Sequence, residues 1–421
     1  MSYTIYETFV GAGGSHIGFK NQGFITKYVN DINDDCLKTL IYNNPEIQES
    51  AFIDNTDILN IDPHYILEKT NMKQGELDVL FGGIVCKGFS LAGERCPNDE
   101  RSYFYHKQLE LVECTRPKMS IIENVPGILN AEVISKNTPS EISKEIDKIW
   151  KDIENYKGAK AQLRKINKIT PEFEEIGIHL RKKKELMLQT LKDNNYLVSV
   201  MDDIKERYET LGYTVKFKVL NSAMYGAATR RERVIIVAIR NDVKGNFVFP
   251  EPTHIDDYLK SKYPNEYSDS IVYLPVNTVN DALKSIDYLN RDDVDNIAMK
   301  HHDKTIERFK YIPVGDNISN YIDNLPSNLK ISKFYSRGNT MRLAGDKPSP
   351  TLVPGHSNFS VHPTENRSIT VREAACITGF PIDYKFFGSH TKRCEHVGNA
   401  VTPPLSEAIA RAVKKLLHYQ T

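Results

Sequence analysis

Cys86 is the residue on which reactive chemistry can be built in this chain. It stands in Gly82-Gly83-Ile84-Val85-Cys86-Lys87-Gly88-Phe89-Ser90, and the apolar run Leu77 to Phe81 leads into it. A cysteine after an apolar strand is most often a small core residue. Glycines on both sides change that reading, because they let backbone and substrate approach closely. A second apolar run, Met119 to Ile122, closes with Glu123-Asn124-Val125 and so places a candidate acid at a strand end. Arg231 and Arg233 enter a further strand at alternate positions, which turns both toward one side and one anionic or carbonyl-bearing ligand. The three groups offer a nucleophile, an acid and an anchor. Taken singly, Glu123 is an exposed strand-end charge and the arginines are a surface pair.

These groups need a frame. Thr4 to Val10 has the pattern of a strand, and Gly11-Ala12-Gly13-Gly14 follows before a helical stretch to Asn21. A glycine-rich turn between strand and helix exposes backbone N–H groups to a cofactor; the plainer reading is a tight connection. Phe24 to Asn30 is the next strand and ends at Asp31, where a carboxylate can bond ribose hydroxyls. A helix from Asp34 to Tyr42 leads on to Asp57-Ile58 at the end of a third short segment. Asp57 can accept from an adenine amino group, but on its own it is better read as a turn or helix cap. The Cys86 strand is fourth. This alternation predicts an α/β fold with a doubly wound, mainly parallel sheet.

Composition narrows the class. The 421 residues suit two domains, and 55 Lys+Arg against 55 Asp+Glu leave no net charge. Neutrality does not exclude a polyanion, since a local basic cleft can hold phosphate. The six cysteines include no C-x-x-C pair. They form neither a disulfide framework nor a zinc module, no metal is expected, and they suit a reducing cytosol. No apolar run reaches membrane-spanning length and no signal-peptide pattern opens the chain, so a soluble, intracellular protein is expected.

Residues 132–195 differ in character. Thr138-Pro139-Ser140-Glu141 has the form of a capping box, followed by an apolar stripe at Ile142, Ile146, Ile149, Ile153 and Tyr156. Thr170-Pro171-Glu172 starts a second helix that carries Arg181-Lys182-Lys183-Lys184 and ends near Lys192. The expectation is an inserted helical hairpin whose basic run is a solvated face. Ser199 caps a helix to Leu211, and strands follow at Thr214 to Leu220 and Val234 to Ile239. Residues 251–362 are polar and turn-rich. Order returns at Arg367 to Pro381 and at Gly398-Asn399-Ala400-Val401, before a terminal helix with Leu405, Ile409, Val413 and Leu416 on one face.

In order and spacing these segments resemble the DNA (cytosine-5)-methyltransferase family, bacterial or phage type, over nearly the whole chain. The resemblance rests on Phe9-Gly11-Gly13-Gly14, Gly82 to Ser90, Glu123-Asn124-Val125, Arg231 with Arg233, Arg367 to Pro381, and Gly398 to Val401. It implies a Rossmann-like S-adenosyl-methionine-binding catalytic domain over 1–245 plus 391–421, with 132–195 inserted, and a smaller target-recognition domain over 246–390. It implies that Phe9, Gly11, Gly13, Asp31, Ile32, Asp57, Ile58, Val85, Asn399 and Val401 hold the cofactor. Cys86 would add to C6 of a cytosine flipped out of the duplex, Glu123 would donate to ring N3, and Arg233 with Arg231 would bind the base O2. Lys87, Ser90, Arg95 and Arg101 would meet DNA.

Where the family has Pro, Gln and Gln, this chain has Val85, Lys87 and Thr229. Losing the proline loosens the loop, while Lys87 beside Cys86 can favour the thiolate. The resemblance further implies a cytoplasmic, monomeric enzyme acting on double-stranded DNA, alone or beside a restriction endonuclease with which it forms no stable complex. An RNA cytosine methyltransferase and a catalytically weak DNA-binding paralogue are the competing expectations.

Overall fold

The computed structural model describes residues 2–84, 104–290, 292–331, 338–353 and 359–419. The chain divides into two compact units, Met1–Ile84 with Glu110–Glu123 and Thr214–Thr421, and Val85–Leu109 with Asn124–Tyr213. Among the described residues no helix is long and apolar enough to cross a membrane.

The first unit is built on a seven-stranded sheet. Its strands are β1 (Tyr3–Thr8), β2 (Phe24–Asn30), β3 (Phe52–Asp54), β4 (Val79–Gly83), β5 (Met119–Asn124), β6 (Tyr213–Asn221) and β7 (Glu232–Arg240), in the order β3-β2-β1-β4-β5-β7-β6. The first five run parallel. Arg233 at the start of β7 meets Glu123 near the end of β5, and Arg240 at its other end donates to the Lys118 carbonyl just before β5. Strand β7 therefore runs antiparallel to β5. Buried apolar residues fill most of β4 and β7, and every residue of β5 is buried, as strands covered on both faces require.

The register differs in detail from the sequence pattern. Strand β1 stops at Thr8 rather than Val10, because Phe9 adopts a left-handed conformation (φ 51°) that ends the strand. Strand β3 stops at Asp54, so Asp57 lies beyond it and caps a short turn through its Oδ1 to the Leu59 N–H at 3.0 Å.

Two helices close one side of this unit. Helix α1 (Gly14–Asn21) lies against the helix Pro403–His418, whose Leu405, Ile409, Val413 and Leu416 are all buried. The approach is close enough that a Cβ on Gly14 would come 2.1 Å from the Val401 carbonyl oxygen, and one on Gly18 2.1 Å from Ser406 Oγ. Ser406 Oγ donates to the Gly14 carbonyl at 2.9 Å. Between β7 and the last helices the chain forms short helical turns around a small core of Phe309, Ile312, Ile318, Leu325, Leu329 and Val361. The buried Arg342 guanidinium ties this region together, donating to the carbonyls of Phe309, Ile312, His362 and Glu365.

The second unit holds the helices Ser140–Lys165 and Pro171–Asp193. Ile146, Ile149, Trp150 and Ile153 of the first pack with Met187 and Leu191 of the second. Thr170 caps the second helix, accepting from the Phe173 N–H. The expected cap at Thr138 does not form: the first helix begins after Pro139, and Thr138 Oγ1 donates to the Tyr196 carbonyl at 3.3 Å. An antiparallel strand pair, Glu132–Ile134 with Leu197–Ser199, brings that carbonyl within reach.

Candidate active site

Parallel strands deliver their C-terminal ends to one edge of a sheet, where open α/β folds bind ligands. In this chain that edge carries Phe9 after β1, Asp31 after β2, Asp57 after β3, Gly83 at the end of β4 and Glu123 near the end of β5. Phe9 and the glycines after it form the first wall. Gly11 (φ 55°) and Gly13 (φ 90°) both take conformations that L side chains rarely adopt. A Cβ on Gly13 would strike Leu40 and Tyr384, whereas one on Gly11 would meet nothing within 4 Å, so the turn opens there onto free space.

Asp31 is fixed beside that turn. Its Oδ2 accepts from the Gly11 N–H at 2.9 Å and its Oδ1 from the Asn33 N–H at 2.8 Å. Burial pushes its pKa up, opposed by those two backbone hydrogen bonds. Ile32 next to it is 64% exposed, an apolar face with no neighbour to cover it. Asn30 Nδ2 donates to the carbonyls of Asp54 and Thr56, which holds the Asp57-Ile58 turn beside the end of β2. Ile58 is buried. From the other end of the chain, Val401 reaches the start of α1, and the exposed Asn399 ends the helix His390–Asn399 two residues before it. An acidic group, an apolar face and an open glycine turn suit a cofactor with ribose hydroxyls and an adenine.

The second cluster lies along the same edge. Gly83 pairs in register with Glu123, so the strand leading to Cys86 runs directly beside the carboxylate. Arg233 Nε stands 2.6 Å from Glu123 Oε1, and its Nη1 donates to the Glu232 carbonyl at 2.7 Å. Burial alternates through this segment: Arg231 (2% exposed) and Arg233 (8%) are buried, while Arg230 and Glu232 between and beside them pair elsewhere. Arg230 binds Asp256 at 2.6 Å and stacks on Tyr258, and Glu232 meets Lys262 and Tyr263. Thr229 Oγ1 donates to the Pro350 carbonyl at 3.1 Å, within a two-residue parallel pairing of 229–230 with 349–350. Val85, Cys86, Lys87, Ser90, Arg95 and Arg101 lie outside the described residues.

One participant escaped the sequence reading. Glu7 is fully buried inside β1, accepts from Ser15 Oγ at 2.9 Å, and pairs with His16 Nδ1 at 2.8 Å. It pins the first turn of α1 beneath the glycine loop. A lone Glu in an otherwise apolar strand, with Ser-His eight and nine residues on, was the available signal. Tyr384 was missed as well: its hydroxyl donates to the Ala12 carbonyl at 2.6 Å and braces the turn from above.

The profile of the C-5 cytosine-specific DNA methylase family matches residues 3–149 and 184–415. The chain belongs to that family. It transfers a methyl group from S-adenosyl-methionine to C5 of cytosine in DNA. Among similar proteins, the Type II methyltransferase M1.HphI of Haemophilus parahaemolyticus is 27% identical over 424 residues, covering 99% of this chain and 88% of that protein. M.Eco47II of Escherichia coli is 25% identical over 426 residues, covering 99% and 79%. Among solved structures, an E. coli prophage methyltransferase superposes with a TM-score of 0.62 at 18% identity, and the Dnmt2 methyltransferase of S. pombe with 0.52 at 13%, each over 99% or more of both chains. The family match breaks off at 149 and resumes at 184, within the paired helices of the second unit.

Proposed function

We propose that this methyltransferase acts at one short DNA sequence, through a covalent adduct between Cys86 and cytosine C6. The observation that carries the reading is the Glu123–Arg233 ion pair beside Gly83. It gathers an acid and a base-binding cation next to the strand that leads to the nucleophile. Cytosine C5 is a poor nucleophile until a thiolate adds at C6, and cysteine suits that addition because it attacks readily and leaves again. In this scheme the Cys86 thiolate adds to C6, Glu123, protonated on contact with the base, gives a proton to N3, and the C4–C5 enamine electrons so formed make the bond to the methyl carbon. When bound, S-adenosyl-methionine would supply that carbon as an electrophilic methyl on a sulfonium whose sulfur keeps the bond electrons and leaves as a neutral thioether. A base then removes the C5 proton, the C6–S bond breaks and the N3 proton returns to Glu123, restoring the aromatic ring and the thiolate. Arg233 with Arg231 orients the ring through O2. Asp31 receives the cofactor ribose, Ile32, Asp57 and Ile58 its adenine, and Phe9, Gly11, Gly13, Val85, Asn399 and Val401 complete the cradle.

The target base is inaccessible inside a duplex and must be flipped out. Lys87, Ser90, Arg95 and Arg101 hold the surrounding strand. Residues 246–390 read the sequence as a target-recognition domain, 1–245 with 391–421 form the catalytic domain, and 132–195 is an insertion. The Type II names of the relatives favour work beside a restriction endonuclease, and we infer a cytoplasmic monomer that forms no stable complex with it. Base-resolution methylation mapping in cells expressing the protein, beside a Cys86→Ala control, tests the reading. The expected result is cytosine-5 methylation at one recurring sequence, absent in the control. Methylation of transfer RNA alone would replace DNA as the substrate.

A further inference from the structure

The helical pair of the second unit is unequal along its length. All the apolar side chains it buries lie in one half, from Ile146 to Ile153 and from Met187 to Leu191. Between Ile153 and Met187 the one buried residue is Gly177. That distal half is held together by a Tyr156–Phe173 ring stack (centroids 4.8 Å apart) and a Lys160–Glu174 ion pair at 2.6 Å. Gly177 lies so near Tyr156 that a Cβ would come 2.3 Å from its hydroxyl. The family match omits 150–183. The distal half is therefore ordered, contributes little core, and stands apart from the family's shared chemistry.

One stretch of it is strongly basic, although Glu172, Glu174 and Glu175 open the second helix and Glu174 pairs with Lys160. Residues 155–170 contain five basic side chains and no acidic one, in a chain whose net charge is zero. Lys157, Lys160, Arg164 and Lys165 line one surface groove with Ala161. The spacing of three and four places Lys157, Lys160 and Arg164 on one helix face, with Lys165 at its margin. The second helix adds to it: burial and repulsion from Lys184 push the Lys157 pKa down, so the two ammonium groups share a neighbourhood. From Lys157 to Lys165 the helix rises about 12 Å, over which duplex DNA presents roughly seven phosphate charges. Ile166, beside Lys165, is 58% exposed, and Ile176 and Ile178 are exposed on the second helix. Ile176 and Ile178 are two positions apart and so face different ways.

We propose that the distal half of this helical arm is an accessory, sequence-independent contact for the phosphate backbone of duplex DNA. The proposal rests on the reading of the protein as a DNA methyltransferase. Phosphate contacts position a protein on its substrate without selecting bases. The arm thus strengthens the hold on duplex while leaving target choice to other residues.

The test uses the full chain with Arg164→Ala, Lys165→Ala and Lys168→Ala combined, since all three side chains are exposed. The probe is a labelled duplex of about 30 base pairs and arbitrary sequence, titrated at several salt concentrations. The slope of log K against log salt is expected to become shallower by about three, near one for each phosphate that is no longer neutralised. The charge-retaining variant Arg164→Lys, Lys165→Arg, Lys168→Arg is expected to keep the parent slope. With target DNA, KM is expected to rise while kcat stays within about twofold. An unchanged slope overturns the proposal. A larger effect on single-stranded RNA than on duplex overturns it in favour of RNA, and loss of a dimer in the triple variant overturns it in favour of self-association. Absence of methyl transfer to DNA by the parent protein would instead overturn the functional reading, and the salt slope would still report on the arm.

Discussion

Arg233 and Glu123 form an ion pair at 2.6 Å across neighbouring strands, with side chains only 10% and 9% exposed. Each removes the other's charge from isolation in a buried setting, and in the proposed scheme each serves a different atom of the same base. Glu123→Gln keeps the shape and removes the transferable proton. Methyl transfer in a single turnover is expected to fall by about 10²- to 10⁴-fold, with cofactor binding unaffected. An unchanged rate would remove Glu123 from acid catalysis. Arg233→Ala leaves a buried carboxylate unpaired and is expected to cost stability as well, roughly 3 kcal/mol by denaturant unfolding.

The Asp31 carboxylate spends one oxygen on the Gly11 N–H and the other on Asn33. Asp31→Ala therefore strips the anchor of the glycine turn and, in the proposed scheme, the ribose acceptor with it. Calorimetric titration with S-adenosyl-methionine should show at least about tenfold weaker binding, one hydrogen bond to a charged group being worth ~1.5–3 kcal/mol. Equal affinity would place the ribose elsewhere.

Gly18 lies where a methyl group would sit 2.1 Å from Ser406 Oγ and 2.3 Å from the Glu407 backbone nitrogen. Backbone cannot rotate away as a side chain can. Gly18→Ala is expected to lower stability by about 1–3 kcal/mol through forced separation of the two helices. A thermal melt with an unaltered midpoint would show that the helices can part without cost.

His396 is buried, and among the described residues neither ring nitrogen has a hydrogen-bond partner. Burial pushes its pKa down to about 4, against a smaller raising influence of Asp35, with Lys392 and Glu395 also facing it. In the unfolded chain the group titrates near 6.5. The unfolded state thus binds the proton first as pH falls. The stability tied to a neutral His396 is complete above about pH 6.5 and is lost progressively toward pH 4, by roughly 3 kcal/mol in all. Urea midpoints measured across this range should decline in the parent protein and decline less in His396→Leu. Parallel profiles would assign the acid sensitivity to other groups.

What was legible in the sequence was mostly local. Strand ends at Asn30 and Glu123, the caps at Thr170 and Ser199, and the apolar face of the terminal helix all follow from periodicity and from residues a few positions apart. Long-range geometry was not legible. Thr138 matched a capping pattern, but its hydroxyl is taken by a carbonyl 58 residues away. Nothing local marks Glu7 as buried, because its partners Ser15 and His16 lie on the next helix. Arg342 sits in a polar stretch that resembles loop, and only folding brings five acceptors around one guanidinium. Thr229, which departs from the family pattern, has a role of its own in tying the arginine segment to Pro350.

The interlocking of α1 with the helix Pro403–His418 sets a schedule for biosynthesis. Gly14 and Ser406, which bond in the finished fold, are 392 residues apart. At ~10 residues per second a ribosome needs about 40 s to connect them. Throughout that interval the nascent chain presents the face of α1 uncovered, a natural docking point for chaperones. The same interval leaves the start of α1 without the Val401 carbonyl and Ser406 hydroxyl that fix it, so a polypeptide stalled before Val401 emerges would carry a glycine turn braced from one side only.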